Sequence, residues 1–362
     1  MTTLAGVALV LGAVLAGLVV VLLLAVAVEH LQRTRSQARD AHRRAELMPT
    51  VHALLDDDED DPAGAATDPR VVSAPRLLDD LVLDLLPQLR GEDRRALQRV
   101  LVARGVVDRA ATDLTARASW RRGRAATLLG SAAGADRTPA LAALLADRSA
   151  DVRGAAARAL GKAGDPAAVT PLLTALTGAR ALPLGIVGMA LLDLGTPVLP
   201  ALRTALTDGS PAAQALAAEV LGVQGDPQAT SGLLALVPGH RLPTEVRQAA
   251  ATALGRIGSP RATAALTGLL TAGHLPVLQR AAAEALGRIG DPAGISALVS
   301  GLHVLDPGVR AACADALAAI GEEGRGRLRV LAIGTSPASR AALSALDAVA
   351  TARQWRRPVV SR

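Results

Sequence analysis

Residues 277–302 read VLQRAAAEALGRIGDPAGISALVSGL. Ala and Leu recur at close helical intervals up to Leu286, and Gly290 then offers a left-handed C-terminal residue where a helix can stop. Asp291 follows as a cap and Pro292 fits the first turn of a new helix, where its missing N–H costs nothing. The stretch therefore predicts one helix, a tight joint and a second helix. The same pattern returns in DVRGAAARALGKAGDPAAVTPLLTAL (151–176), EVRQAAATALGRIGSPRATAALTGLL (245–270) and GVRAACADALAAIGEEGRGRLRVLA (308–332). Weaker copies occupy 119–134, 182–206 and 212–237, and EDRRALQRVLVARG (92–105) is barely recognisable. An anchor leucine recurs at Leu101, Leu129, Leu160, Leu191, Leu221, Leu254, Leu286 and Leu317, at separations of 28, 31, 31, 30, 33, 32 and 31 residues. Leu346 stands in the same role in a ninth, terminal copy.

A period near 31 residues accommodates two helices of about 10–13 residues and two tight turns. Neither helix can bury its apolar face alone, so neighbouring copies must stack. The expected fold is all-α: a right-handed α-solenoid of about eight to nine two-helix repeats. In each copy the first helix follows the Asp-Pro joint, and Gly178, Gly209, Gly239 and Gly273 are expected to end it in left-handed geometry. The second helix ends at Gly164, Gly195, Gly225, Gly258, Gly290 or Gly321.

Composition agrees with closely packed helices. Hydrophobic residues make up 50% of the 362 but aromatics only 1%, so the core must be built from Ala, Leu, Val and Ile. The 39 basic and 33 acidic side chains leave a net charge of +6, which is compatible with anionic lipid, nucleic acid or an acidic partner and selects none of them. The single cysteine, Cys313, excludes an internal disulfide framework and a cysteine-rich zinc site, and it reads as a small buried hydrophobe.

Four segments follow. Within residues 1–28, Leu4–Val28 carries no charged side chain. Its length of about 38 Å as a helix exceeds the bilayer's hydrocarbon core. Ala25-Val26-Ala27 resembles a signal-peptidase site, but no Lys or Arg precedes the apolar run and the run is far longer than a signal peptide needs, so it reads as an uncleaved transmembrane helix. Arg33, Arg35, Arg39, Arg43 and Arg44 all follow it, which orients the N-terminus outside and the rest in the cytoplasm, as a single-pass protein of the cell membrane. Ala8, Gly12 and Ala16 form a small-residue stripe that helix pairing could use or composition alone could explain. Residues 29–74 form a polar, acidic linker, with Asp56–Asp61 a solvated spacer. Residues 75–354 are the solenoid and 355–362 a tail.

The Val-Arg opening of the second helix (Val152-Arg153, Val246-Arg247, Val309-Arg310) and the Ala-Leu-Gly-x-x-Gly-Asp-Pro joint resemble the HEAT repeat, in the short bacterial HEAT-like form also found in phycobilisome lyases. The resemblance covers about 75–354. It implies a solenoid whose second helices line a groove, and it is weak on function, because such repeats serve many partners.

Three sets of residues are candidates. Seven positions before each anchor stand Arg94, Arg122, Arg153, Leu184, Gln214, Arg247, Gln279 and Arg310; the fixed repeat position marks Arg153, Arg247 and Arg310 as structural ties between the turn and the next copy. Two positions before each anchor stand Arg99, Thr127, Arg158, Met189, Glu219, Thr252, Glu284 and Asp315, basic near the membrane and acidic far from it. Read with the resemblance, this column faces the groove; read alone, it is equally a solubilising surface. Trp120 and Arg124 lie at the basic end, where Trp and Arg suit an interface anchor. The basic stretch from Arg90 to Arg124 admits contact with lipid headgroups or with an acidic partner loop. Trp355 is expected to cap the end of the solenoid. His240, His274 and His303 fall in successive inter-helix turns, too far apart to share a metal ion.

No nucleophile–base pair, phosphate loop or metal motif is visible. The sequence therefore predicts a membrane-anchored scaffold or adaptor, not an enzyme, with no cofactor or metal. It would dock a protein partner, one associated with the membrane, and touch the lipid bilayer through residues 4–28. The alternatives are a lyase or DNA-repair enzyme built on HEAT-like repeats, or a membrane-tethered nucleic-acid binder. Both enzyme readings suffer from the absence of Tyr and Phe.

Overall fold

The computed structural model describes residues 75–355, apart from 87, 90, 133 and 272–274, together with positions 45, 48 and 49. The predicted transmembrane helix, most of the linker, residues 356–362, His274, Gly273 and the Trp355 side chain lie outside the described residues. These comprise eighteen α-helices and no strand. Among them no single helix is long and apolar enough to cross a membrane.

The chain divides into two compact units, Met1–Arg109 and Ala110–Arg362. In the first, α1 (Pro75–Leu85) and α2 (Gly91–Ala103) bury Leu78, Val82, Leu97 and Leu101. Arg104 Nε donates to Asp79 Oδ1 at 2.6 Å in a largely buried ion pair. Helix α3 (Val106–Asp113) spans the division.

The second unit alternates two kinds of helix. The Ala-rich second helices are α4 (Ser119–Ala132), α6 (Ala150–Ala163), α8 (Leu184–Asp193), α10 (Pro211–Gln224), α12 (Thr244–Ile257), α14 (Pro276–Ile289), α16 (Pro307–Ala319) and α18 (Pro337–Trp355). Between them run the first helices α5 (Thr138–Ala143), α7 (Val169–Thr174), α9 (Leu199–Asp208), α11 (Thr230–Leu236), α13 (Thr263–Thr271), α15 (Ile295–Gly301) and α17 (Glu322–Leu331). Successive second helices pack against one another, and from α6 onward each also packs against its own first helix, which makes two layers over one continuous core.

Most first helices are shorter than the expected 10–13 residues, because a 3-10 turn such as Pro166–Ala168 or Pro292–Gly294 precedes them. An aspartate cap closes three of these turns. Asp165 accepts from Ala167 N at 2.9 Å, Asp226 from Gln228 N at 3.1 Å and Asp291 from Ala293 N at 3.0 Å, each only two residues on, which closes a tighter turn than an α-helix.

The seven anchor leucines from Leu129 to Leu317 are all fully buried. Leu346 is not: in α18 the sealed positions are Ala338, Ser339, Ala342 and Ala345, and Leu346 is only half-buried, since no further second helix covers it among the described residues. The residue after the anchor makes the layer tight. A Cβ added to Gly130, Gly161, Gly222, Gly255 or Gly287 would lie 2.4–2.8 Å from the Cα of Ala159, Ala190, Ala253, Ala285 or Ala316, the residue before the next anchor. Gly and Ala thus meet backbone to backbone at each of these five crossings.

The expectation for the inter-helix glycines holds for Gly178 (φ 94°) but not for Gly209, whose φ is −76° and ψ 157°. There glycine answers a different need: a Cβ would sit 2.4 Å from the carbonyl oxygen of Ala205. Gly239 likewise has no positive φ, and a Cβ on it would press on Leu242 at 2.7 Å.

Candidate functional site

The column seven positions before the anchor reaches back to the end of the first helix. Arg153 Nη1 donates to the carbonyls of Asp147 (2.9 Å) and Arg148 (3.3 Å), and Arg310 Nη1 to those of Val304 (2.8 Å) and Leu305 (2.7 Å). Arg247 Nε donates to Val237 O at 2.9 Å. Gln214 and Gln279 do the same through Nε2, to Leu206 O and Leu270 O. These carbonyls are the unpaired acceptors every helix leaves at its C-terminus. The ties therefore join the two helices of one repeat. They do not join the turn to the following copy, as the sequence reading had them, because the side chain points back along its own helix toward the turn before it. Leu184 breaks the column and is 52% exposed; there the Leu182 N–H donates to Ala175 O at 2.8 Å.

Ties between repeats come from other residues. Arg122 clasps Asp147, with Nε to Oδ2 at 2.7 Å and Nη2 to Oδ1 at 2.9 Å, while its Nη1 holds the carbonyls of Ala116 and Arg117. The Arg122 hydrogen bond holds the Asp147 carboxyl below its ordinary range, and Asp147 in turn raises the Arg122 guanidinium. Arg203 Nη1 reaches Asp226 Oδ2 at 3.1 Å, and Thr263 Oγ1 donates to Asp291 Oδ2 at 2.7 Å, which lowers the Asp291 pKa. Asp226 and Asp291 thus cap their own turn and accept from the previous repeat. The sequence reading assigned them only the first role; a hydroxyl or guanidinium 23–28 residues upstream was the available signal.

The face of the second helices opposite the core is exposed. On it the second unit presents Trp120 (67% exposed), Arg124, Thr127, Arg158, Met189, Glu219, Glu284 and Asp315, and Thr252 is half-buried. Arg99 is exposed on α2 of the first unit. The acidic end is more mixed than the column implied. Arg280 and Arg288 sit one turn either side of Glu284, with Arg288 Nη2 3.8 Å from Glu284 Oε2. Together with Asp315 they line a cleft of about 500 Å³ between α14 and α16. A smaller cleft between α10 and α12 is lined by Glu219, Glu245, Gln248, Thr252 and Arg256. Both clefts are zwitterionic. A second, threonine-rich groove runs over α5, α7 and α9, lined among others by Leu145, Thr170, Thr174 and Thr204.

Much of the basic stretch is engaged: Arg95 with Glu92, Arg104 with Asp79, Arg121 with Asp113 at 2.7 Å, and Arg122 with Asp147. Cys313 is buried, and burial pushes its thiol up to about 12. His240 and His303 are exposed. Among the described residues no group of three or more His, Cys, Asp or Glu side chains is placed to hold a metal ion.

The chain has no significant match among curated protein sequences. Among solved structures it is similar to human deoxyhypusine hydroxylase in complex with glycerol (20% identity, 70% of this chain and 99% of that one, TM-score 0.31). It is also similar to an engineered protein (22%, 85% and 95%, TM-score 0.38) and to Kap121p (14%, 82% and 40%, TM-score 0.47). The family model described as HEAT repeats matches residues 110–182, 199–286 and 274–350, more than half of the chain. With its buried anchor leucines, capped joints and stacked helix pairs, the chain belongs to the HEAT-repeat family.

Proposed function

We propose that this protein is a non-enzymatic, membrane-anchored scaffold or adaptor whose HEAT-repeat solenoid docks a protein partner on the exposed face of its second helices. The observation that carries this reading is the contrast between the two faces of those helices. One is closed by Ala, Leu and Gly; the other presents Arg158, Glu219, Glu284 and Asp315 in register, with Trp120 exposed at the start of α4 and zwitterionic clefts between neighbours. Complementary charge along such a surface gives specificity and association rate, and an aromatic–arginine cluster adds affinity. The anchor is the 25-residue apolar run Leu4–Val28, with the solenoid on the cytoplasmic side that the flanking arginines favour. A membrane-associated partner is the natural occupant for a surface held beside the bilayer.

The test compares capture of partners by the full-length protein and by two triple variants. Glu219, Glu284 and Asp315 all changed to Lys should weaken capture, and Trp120→Ala should weaken it further. Three exposed substitutions on α7, α9 and α11 serve as the control. If the control loses the partner and the face variants keep it, the docking surface is elsewhere. A C-terminal alkaline phosphatase fusion that is active, beside a dark fluorescent-protein fusion, would reverse the orientation.

A further inference from the structure

Helix α8 and the joint after it depart from their neighbours at four repeat positions at once. Leu184 replaces the tying Arg or Gln, Met189 stands in the charged or polar column, Leu192 takes the place of the close-packing glycine, and Thr196 that of the capping Asp. The matches to the HEAT-repeat family leave a gap over this same helix, between 182 and 199. Its buried side is ordinary, with Val187, Ala190 and Leu191 sealed. Its outer side is not. Across its first two turns it exposes Leu184 (52%), Gly185 and Met189 (59%), and charge returns only at Asp193. The adjoining helices α6 and α10 carry Arg158 and Glu219 at the register position of Met189, both exposed and neither in an ion pair among the described residues. Side-chain contacts tie the three helices together: Ile186 Cδ1 lies 3.7 Å from where a Cβ on Gly154 would be, and Leu216 Cδ1 3.2 Å from one on Gly188.

From these placements, and resting on the docking face argued above, we infer that α6, α8 and α10 form a three-point seat for an extended peptide segment of pattern acidic–x–x–apolar–x–x–basic, with Met189 under the apolar residue, Arg158 under the acid and Glu219 under the base. The spacing follows from geometry. Neighbouring packed helices lie about 8–10 Å apart, and an extended chain advances about 3.3 Å per residue, so successive points are about three residues apart. An unbranched thioether on an open, glycine-flanked surface adapts to varied apolar side chains. Arg158 and Glu219, about 16–20 Å apart at twice the helix spacing, are screened from one another, so each is open to a counter-charge that a partner supplies.

The experiment uses the full-length protein in detergent and three fluorescein-labelled heptapeptides: Asp-Ser-Ser-Leu-Ser-Ser-Arg, the same with Asp at both ends, and the same with Arg at both ends. The peptide with unlike ends meets both counter-charges in the one chain direction that sets its Asp over Arg158, whereas the other two always leave one like-charge contact. Anisotropy titration should rank the unlike-ended peptide first. Met189→Asp should weaken it about tenfold, a difference of about 1.4 kcal/mol. Arg158→Glu should shift the preference to the doubly basic peptide and Glu219→Lys to the doubly acidic one. Equal binding of all three peptides, unchanged preferences in the charge variants, or no binding up to about 1 mM overturns the seat. Peptide binding that survives Met189→Asp but falls with Glu284→Lys and Asp315→Lys also overturns it while leaving the docking face intact. No peptide binding, together with unchanged partner capture by the Glu219, Glu284 and Asp315 triple variant, would bring down the docking face as well. All five substituted side chains are exposed, so circular dichroism should show unchanged folding.

Discussion

Between α12 and α14, Gly255 lets the two backbones approach until a Cβ would lie 2.6 Å from Ala285 Cα; between α8 and α10 the same position holds Leu192, and the two helices form the loosest pairing in their layer. One copy of the repeat has been spent on packing, the other on surface. In α12, Val246, Arg247, Ala250, Ala253 and Leu254 are all sealed, and Arg247 holds the preceding helix end. In α8 the tie, the glycine and the capping aspartate are gone, and apolar side chains face outward. A solenoid tolerates this because each repeat answers only to its neighbours.

The largest test of this contrast is cavity formation. Leu254→Ala should cost about 2–5 kcal/mol in urea unfolding followed by circular dichroism, since Leu254 is fully buried, and Leu192→Ala much less. Equal losses would mean that α8 packs as tightly as α12. Next comes the crossing itself. Gly255→Leu, which writes the α8 sequence into α12, should cost about 1–3 kcal/mol by forcing the helices apart, while the reverse change Leu192→Gly should cost less. A wild-type melt for Gly255→Leu would remove the close approach.

Acid should act on the regular part first. The Asp147 carboxyl is held below its ordinary value by Arg122, so its stabilising contribution is complete above the unfolded value of about 3.9 and is lost as pH falls through the lower folded value. Asp147→Asn should therefore lower the melting temperature at pH 7, and the gap to wild type should close below about pH 4. A constant gap from pH 7 to pH 3 would show that the pair does not titrate in this way. The smallest effect is a gain: Leu184→Gln should restore the missing tie to the end of α7, as Gln214 does for α9, and add about 0.5–1 kcal/mol. An unchanged melt would mean that the Leu182–Ala175 backbone bond already satisfies that end.

The repeat was legible because it is local. Gly-Asp-Pro states where one helix stops and the next begins, and the Asp165, Asp226 and Asp291 caps form within two residues of the aspartate. The anchor leucines were legible because a fully buried leucine every 31 or so residues has no other use. Less legible were Gly209, where glycine is needed for space and not for a left-handed turn, and Leu346, whose burial depends on a covering second helix that no described residue supplies. The candidate surface was half legible. Exposure of Arg158, Glu219, Glu284 and Asp315 follows from helical periodicity, but reading one column hid Arg280 and Arg288, which one turn of helix brings beside Glu284.

The amino-acid sequence alone determined the helix pairs, their ends, the period and the apolar side of each helix, because capping, turn chemistry and amphipathic spacing act over a few residues. Only the tertiary structure decided which repeats are tied by Arg122–Asp147, Arg203–Asp226 and Thr263–Asp291, and which crossing is loose. Those outcomes depend on how closely two helices some 30 residues apart approach, and that distance is set by whether glycine meets alanine at the crossing, as Gly255 meets Ala285, or a larger residue such as Leu192 stands in the glycine's place.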